Sequence, residues 1–206
     1  MEEYANAVHT SGAPLTNCWG FIDGTARRIC RPTEYQRECF SGHKRCHILK
    51  FQAIVAANGL IANLFGPMEG RRHDAAMLWE SGVLDRLQHL NRANGEPLCI
   101  YGDSAYPLRP NLIRPFQGPL ITDDEQLFNR LMGSARVSVE WAFGGISKLF
   151  AFLDFDKNMK LFLQPVGKTY VVGALLYNCH TILYGSPTTA HFGINPPTLQ
   201  EYLRHD

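Results

Sequence analysis

The stretch HILKFQAIVAANGLIANLF, residues 47–65, decides the fold prediction because it contains two apolar runs on either side of a turn signal. The first run covers residues 47–56 and the second covers residues 60–65, with Ala-Asn-Gly between them. An Asn-Gly pair readily adopts the positive φ angles that a tight hairpin turn requires. The sequence therefore predicts a β-hairpin that supplies the second and third strands of a sheet.

Three further apolar runs predict the remaining strands. Residues 17–23, NCWGFID, form a short apolar run that ends in an acid before Gly-Thr, which indicates a buried first strand leading into a turn. Residues 98–101 form a fourth strand that stops at Gly102-Asp103, and residues 119–122 form a fifth. The prediction is a mixed five-stranded sheet.

Helix signals lie between and after these strands. Thr122 and Glu125 have the spacing of a capping box, which opens a long helix reaching about residue 150. Its apolar residues recur every three or four positions, as in a helix packed on a sheet: Phe128, Met132, Ala135, Val139, Phe143, Ile146 and Phe150. Helical turns are also predicted from His73, and another helix over residues 166–184. Helices flanking a mixed sheet define an α/β layered fold.

The length and composition of the chain fit one ordinary globular domain. The chain has 206 residues, of which 45% are hydrophobic and 19% charged, enough for a single core. We expect a lead segment at residues 1–16 and one domain over residues 17–206 that ends in a helical extension. The lead segment lacks the apolar centre of a signal peptide, and no run approaches the roughly 20 apolar residues of a membrane span, so no membrane partner is expected.

Charge is concentrated in one segment. The net charge is only +1, which argues against a surface that binds polyanions everywhere. Residues 27–50, however, carry seven basic side chains against two acidic ones, a local charge of +5. We therefore predict that nucleic-acid phosphates are contacted locally, by Arg27, Arg28, Lys44 and Arg45.

Three acids are candidates for a metal site. Asp23 and Asp103 each follow a predicted strand, and Glu140 lies on the predicted long helix. Mg²⁺ prefers a few carboxylates and retains waters, so such a set suits phosphoryl chemistry. Each acid also has an ordinary interpretation: Asp23 before Gly24 and Asp103 after Gly102 are typical of turns, and Glu140 is four residues after Arg136, the spacing of a helix-surface ion pair. Spacing alone leaves both interpretations open.

Two neighbouring groups leave alternatives open as well. Asp74 follows His73 at a predicted helix start, where it could cap the helix, orient a neighbour or act as a fourth metal-site acid. The cluster of Cys39, His43, Cys46 and His47 resembles a zinc clip, although its spacing matches no standard zinc pattern. The other interpretation of that cluster is a set of reduced thiols and ordinary histidines.

The motifs together resemble one protein family, the DDE superfamily endonucleases of PIF/Harbinger-type transposons and their domesticated eukaryotic relatives. The resemblance runs from about residue 17 to residue 178. Its motifs are GFIDGT (20–25), FSGHKRCH (40–47), GRRHDA (70–75), YGDSAYP (101–107), FNRLM (128–132) and RVSVEWAFG (136–144). Each string is short, but their order and spacing together are specific.

The resemblance implies an RNase H-like fold and a nuclease activity. It implies that Asp23, Asp103 and Glu140 match the family's acidic triad and hold two Mg²⁺ or Mn²⁺ ions that cleave DNA. Asp74, Asn129 and Arg136 match supporting positions around the triad.

The resemblance also implies a nuclear location and possible homo-oligomers. Family members usually carry a DNA-binding region before the catalytic domain, so we expect a longer parent chain or a separate DNA-binding partner protein. The alternative is a catalytically silent, domesticated transposase that serves as a nucleic-acid or protein binding module.

Overall fold

The computed structural model describes residues 1–204, which form one open mixed sheet with helices on both faces. The strands are β1 (Cys18–Arg28), β2 (Phe40–Ser41), β3 (Cys46–Ala56), β4 (Ile61–Glu69), β5 (Cys99–Tyr101) and β6 (Leu112–Ile113). The helices are α1 (Glu2–Thr10), α2 (Gln36–Cys39), α3 (Asp74–Glu80), α4 (Val83–Leu87), α5 (Asp123–Leu149), α6 (Val166–Tyr184), α7 (Pro187–Phe192) and α8 (Leu199–Tyr202). Short 3₁₀ turns at Ala151–Asp154 and Asp156–Asn158 connect α5 to α6. The predicted mixed α/β architecture is confirmed.

Strand β3 is the centre of the antiparallel part of the sheet. It pairs with β4 through the predicted hairpin, where Gly59 has a φ of +79°, and with β1 on its other side. Strand β5 then runs parallel to β1, and β6 runs parallel to β5. The sheet therefore has six strands and not the predicted five: β4, β3 and β1 form an antiparallel unit, β5 and β6 extend it in parallel, and the short β2 pairs with the start of β3.

Two strand predictions were wrong. Strand β1 does not end at Asp23 but continues to Arg28, because β3 supplies a partner for each residue from Gly20 to Arg28. Residues 119–122 form no strand, and the fifth position in the sheet belongs to Leu112–Ile113. Leu120 has 93% of its surface exposed, so that segment has no sheet neighbour to bury its apolar side chain.

The long helix α5 and the helix α6 cover one face of the sheet, and α3 with α4 cover the other. On the first face, Phe21 and Tyr101 pack in one core with Val139 of α5 and Ala174 of α6. The predicted stripe of α5 is buried from Met132 to Ile146, and the Thr122–Glu125 capping box forms as predicted.

The core of the opposite face contains Ile22, Ile54 and Ile100, packed with Leu78 of α3 and Leu87 of α4. Helix α1, which was not predicted, also contributes buried side chains to the two cores. Within residues 1–204 no helix combines the length and apolarity needed to cross a membrane.

Candidate active site

The parallel register of β1 and β5 brings the two aspartates together. Phe21 pairs with Tyr101, so Asp23 and Asp103 each lie two residues farther along neighbouring parallel segments. Strand β5 ends at Tyr101 whereas β1 continues, which leaves the edge of β1 open beside Asp23. Both carboxylates line the groove that forms there, at the carboxyl end of β5, where open α/β sheets usually bind ligands.

Asp23 is largely buried and makes two polar contacts. Its side chain is only 17% exposed, its Oδ1 accepts a hydrogen bond from the Gly24 amide at 2.7 Å, and its Oδ2 pairs with Nη1 of Arg136. Burial raises the pKa of Asp23 above its ordinary value, although Arg136 and the Gly24 amide favour the charged form, and the nearby Asp103 raises it further. The net effect of burial and these neighbours is to disfavour the ionised form of Asp23.

Arg136 links the sheet to the helix acid. Its Nη2 lies 3.5 Å from Oε1 of Glu140, one helical turn later on α5, while its Nη1 pairs with Asp23. The ordinary helix ion pair suggested by the spacing is thus present. The structure adds that the same guanidinium pairs with two acids, Asp23 of β1 and Glu140 of α5.

All four acids singled out in the sequence line one groove of about 910 Å³. They come from four separate elements of the chain: Asp23, Asp74, Asp103 and Glu140. In the described part of the chain, no group of three or more His, Cys, Asp or Glu side chains is close enough to hold one ion as it stands. The acids share a cavity, and Arg136 lies between two of them.

Asp74 does not cap its helix. The N-cap position of α3 belongs to His73, which makes no side-chain capping bond, and Oδ1 of Asp74 lies 3.0 Å from Nζ of Lys50 on β3. Asp74 also approaches β1 closely, since a Cβ atom on Gly24 would lie 3.3 Å from its Oδ1. Asp74 of α3 therefore lines the groove, and Lys50 of β3 balances its charge.

A buried polar pair beneath the acids escaped the sequence analysis. The Gln52 amide donates to the Tyr106 hydroxyl at 3.1 Å, and both side chains are almost fully buried. Burial raises the pKa of Tyr106 well above its ordinary value, and Asp23, Asp74 and Asp103 raise it further. Tyr106 therefore stays a neutral phenol. Its signal in the sequence was its place in the YGDSAYP motif, and that of Gln52 was a lone polar residue within an apolar strand.

Gly102 fits against this tyrosine. A Cβ atom at residue 102 would lie 2.6 Å from Cδ2 of Tyr106 and 2.9 Å from Cγ2 of Ile22, both too close for a side chain. The glycine before Asp103 therefore lets the chain turn over the tyrosine ring. This close packing fixes the position from which Asp103 enters the groove.

The four predicted phosphate contacts divide into different environments. Arg28 and Lys44 line the groove, and Arg45 is exposed on the neighbouring loop but does not line it. Arg27 is only 12% exposed, donates to the hydroxyl of Ser147, and lies over the ring of Tyr170 at 5.0 Å. Arg27 therefore fastens β1 to α5 and α6, and we leave it out of the phosphate-binding set.

Asn129 lies outside the groove lining and holds a loop. Its amide both accepts from the Phe116 amide at 2.8 Å and donates to the Phe116 carbonyl at 3.0 Å. These two hydrogen bonds connect the segment after β6 to α5. Asn129 thus supports the site only by positioning the chain that follows Asp103.

The four residues of the suggested zinc clip are dispersed. Cys39 is buried, His43 and Cys46 line the groove, and His47 packs edge-on against Phe40 with ring centroids 5.4 Å apart. They do not form a metal-ligating group within residues 1–204.

Comparison with known proteins identifies the family. The model of the DDE superfamily endonuclease family matches residues 22–178. Protein ALP1-like of Arabidopsis thaliana is 27% identical over 146 residues, which are 66% of this chain and 35% of that protein, so the match spans about a third of the relative's length. No solved structure gives a significant match. Since the family model covers well over half of the sequence, the chain belongs to the DDE superfamily endonucleases, as its motifs predicted.

Proposed function

We propose that this chain is a divalent-metal-dependent DNA endonuclease or transposase catalytic domain in which Asp23, Asp103 and Glu140 hold two Mg²⁺ or Mn²⁺ ions. The observation that carries the proposal is the arrival of these three acids, from β1, the segment after β5, and α5, in one groove. The order of strands, three antiparallel and then two parallel, supports an RNase H-like fold.

The donor chemistry of the groove fits such ions. Carboxylate oxygens are the ligands that Mg²⁺ and Mn²⁺ prefer, and Asp74 could add a fourth. When bound, two ions of this kind activate water on one side of a phosphodiester and stabilise the leaving oxygen on the other.

The protein's own residues prepare the charge of the site. Arg136 offsets the repulsion that Asp23 and Glu140 would otherwise exert on one another. Because burial raises the pKa of Asp23, a bound cation would stabilise its ionised form and lower that pKa. Tyr106 and Gln52 form a buried hydrogen-bonded pair near Asp23, Asp74 and Asp103. The groove therefore contains four acids, of which Asp23 and Glu140 pair with Arg136 and Asp74 pairs with Lys50.

DNA would run from this acidic end along the basic part of the groove. Arg28 and Lys44 line that part, and Arg45 extends it on the adjacent exposed loop. Contacts to phosphate position a nucleic acid without reading its sequence. Sequence recognition by a separate DNA-binding protein, and a nuclear location, therefore remain part of the proposal.

Cleavage of a labelled duplex in the presence of Mg²⁺ or Mn²⁺ tests this function. We expect cleavage by the wild type, none by Asp103→Ala, and wild-type cleavage by Asp85→Ala, which removes an exposed acid of α4 outside the groove. Equal cleavage by Asp103→Ala and the wild type would refute the assignment.

One observation favours a second candidate, a catalytically silent binding module. Arg136 already pairs with two of the three acids, and these contacts would compete with a cation for the same carboxylates. In that case DNA binding would be measurable, but neither Mg²⁺ nor Mn²⁺ would produce cleavage or raise the melting temperature of the protein.

A further inference from the structure

Helix α6 is apolar on both of its sides. One side is buried against the sheet and α5, through residues such as Tyr170, Ala174 and Tyr177. The opposite side carries large apolar residues whose exposed fractions lie between 42% and 58%: Val171, Val172, Leu175, Leu176 and Leu183. We refer to these five residues as the α6 outer face.

Charge is almost missing from this helix. Lys168, at its first turn, is the single charged side chain in the 19 residues of α6. A helix at the surface of a monomer normally has a polar outer side, and a helix that is apolar all round is normally buried. The α6 outer face therefore has the composition of a buried surface rather than of a solvent-facing one.

We infer that the α6 outer face is a self-association surface, on which α6 of a second copy packs antiparallel about a two-fold axis near Leu175 and Leu176. Closed two-fold dimers are the commonest protein assemblies, and they require a surface that is complementary to itself. An uncharged aliphatic stripe centred on two adjacent leucines meets that requirement, because each half of the stripe would cover the other half of its copy.

The size of the face fits a weak, reversible dimer. Its exposed fractions correspond to roughly 400 to 450 Å² on each chain, so a symmetric pair would bury about 800 to 900 Å² from these residues alone. That is the area of a weak, transient interface, which high protein concentration would populate. Side chains at the rim of the helix would add to it.

The position of Lys168 selects the antiparallel arrangement. About an axis near Leu175 and Leu176, Lys168 of one copy lies level with Leu183 at the carboxyl end of the other helix, where a positive charge interacts favourably with the helix dipole. A parallel pair would instead place the two lysines side by side. Charge therefore opposes the parallel pair and supports the antiparallel one.

Light scattering of the purified 206-residue chain during gel filtration tests this inference. At about 100 µM we expect a dimer for the wild type and for Leu120→Arg, which changes an exposed leucine outside α6, and a monomer with wild-type circular dichroism for Leu175→Arg. A wild type that remains monomeric, or a Leu175→Arg variant that remains dimeric, would overturn the inference.

Disulfide formation tests the orientation. Residues 172 and 179 are equidistant from the proposed axis, and Cys179 is a free thiol, so Val172→Cys should form a disulfide with Cys179 of the second copy under mild oxidation. Adding Cys179→Ser should abolish that product. A Cys179–Cys179 product in the wild type would instead reveal a parallel pair and overturn the proposed arrangement. Because Asp103→Ala leaves α6 unchanged, it should dimerise normally even if the nuclease proposal fails.

Discussion

The acidic and basic ends of the groove differ in how firmly their charged side chains are held. Asp23 lies inside a paired strand, accepts an amide hydrogen bond and is neutralised by Arg136. Arg28 is largely exposed and reaches only a distant partner, Asp156, at 3.9 Å, while Lys44 is exposed on a loop. Cleavage chemistry requires exact placement of charge, whereas phosphate contacts tolerate flexible side chains. We therefore assign rate to the acidic end and affinity to the basic end.

The largest expected effect comes from removing a held acid. Asp23→Ala should lower metal-dependent cleavage on the order of 1,000-fold or more, because the charge that the site places at the reacting phosphate is lost. DNA binding should be unchanged or tighter, since a negative charge leaves the groove. Single-turnover cleavage and fluorescence anisotropy measure the two quantities separately. A matched loss of affinity and rate would break the division between the two ends.

A smaller effect is expected at the basic end. The double change Arg28→Ala and Lys44→Ala should weaken DNA binding about tenfold, and each lost phosphate contact should reduce the slope of log K against log salt by about one. At saturating DNA, the single-turnover rate should stay near that of the wild type. The exposed Lys160, which lies outside the groove lining, provides the control: Lys160→Ala should leave affinity and salt slope unchanged.

Arg136 can be tested through stability. In Arg136→Gln the acids lose their shared counter-charge, so the metal-free melting temperature should fall by several degrees. Mg²⁺ should then raise the melting temperature by more than it does in the wild type, because the ion would replace the missing positive charge. Arg130→Gln, at an exposed position of the same helix, should show neither change. A Mg²⁺ response in Arg136→Gln no larger than that of the wild type would contradict this role.

The smallest effect is a pH dependence of stability. The folded protein raises the pKa of Asp23, so the stability associated with its protonated form is fully present below the ordinary value of 3.8 and is lost as pH rises through the raised pKa. Asp23→Asn does not titrate, so without added metal it should melt about as the wild type does at low pH and at a higher temperature than the wild type at neutral pH. Thermal melting from acidic to neutral pH measures the difference in melting temperature between Asp23→Asn and the wild type. A lower melting temperature for Asp23→Asn at neutral pH would contradict the claim that burial disfavours the ionised form of Asp23.

Local signals predicted the elements that the structure confirms. The Asn-Gly turn, the Thr122–Glu125 capping box and the apolar stripe of α5 each act over a few residues, so the sequence carries them directly. The length of β1 depends on a partner, since β3 extends the pairing past Asp23 to Arg28. The same limit explains the wrong fifth strand, because only a neighbour such as β5 selects Leu112–Ile113 over the segment 119–122.

The candidate site was predictable only in part for the same reason. Motifs identified the acids, but their meeting depends on the β1–β5 register, which pairs Phe21 with Tyr101. The i, i+4 spacing indicated the pairing of Arg136 with Glu140, whereas its pairing with Asp23 spans 113 positions of sequence and has no local signal. The basic segment of the sequence predicted that Arg27 contacts phosphate. In the structure its side chain is largely buried and donates to Ser147 of α5, which the sequence did not indicate.

The most direct test of the central claim is the Mn²⁺ affinity of Glu140→Gln, measured by electron paramagnetic resonance of the free ion. Asp23 and Asp103 belong to neighbouring segments of the sheet, whereas Glu140 belongs to α5, and its side chain is 56% exposed. We expect Glu140→Gln to bind Mn²⁺ at least about tenfold more weakly than the wild type, with Glu125→Gln as a control on the same helix. Equal Mn²⁺ affinity for Glu140→Gln and the wild type would show that the three acids do not act as one metal site.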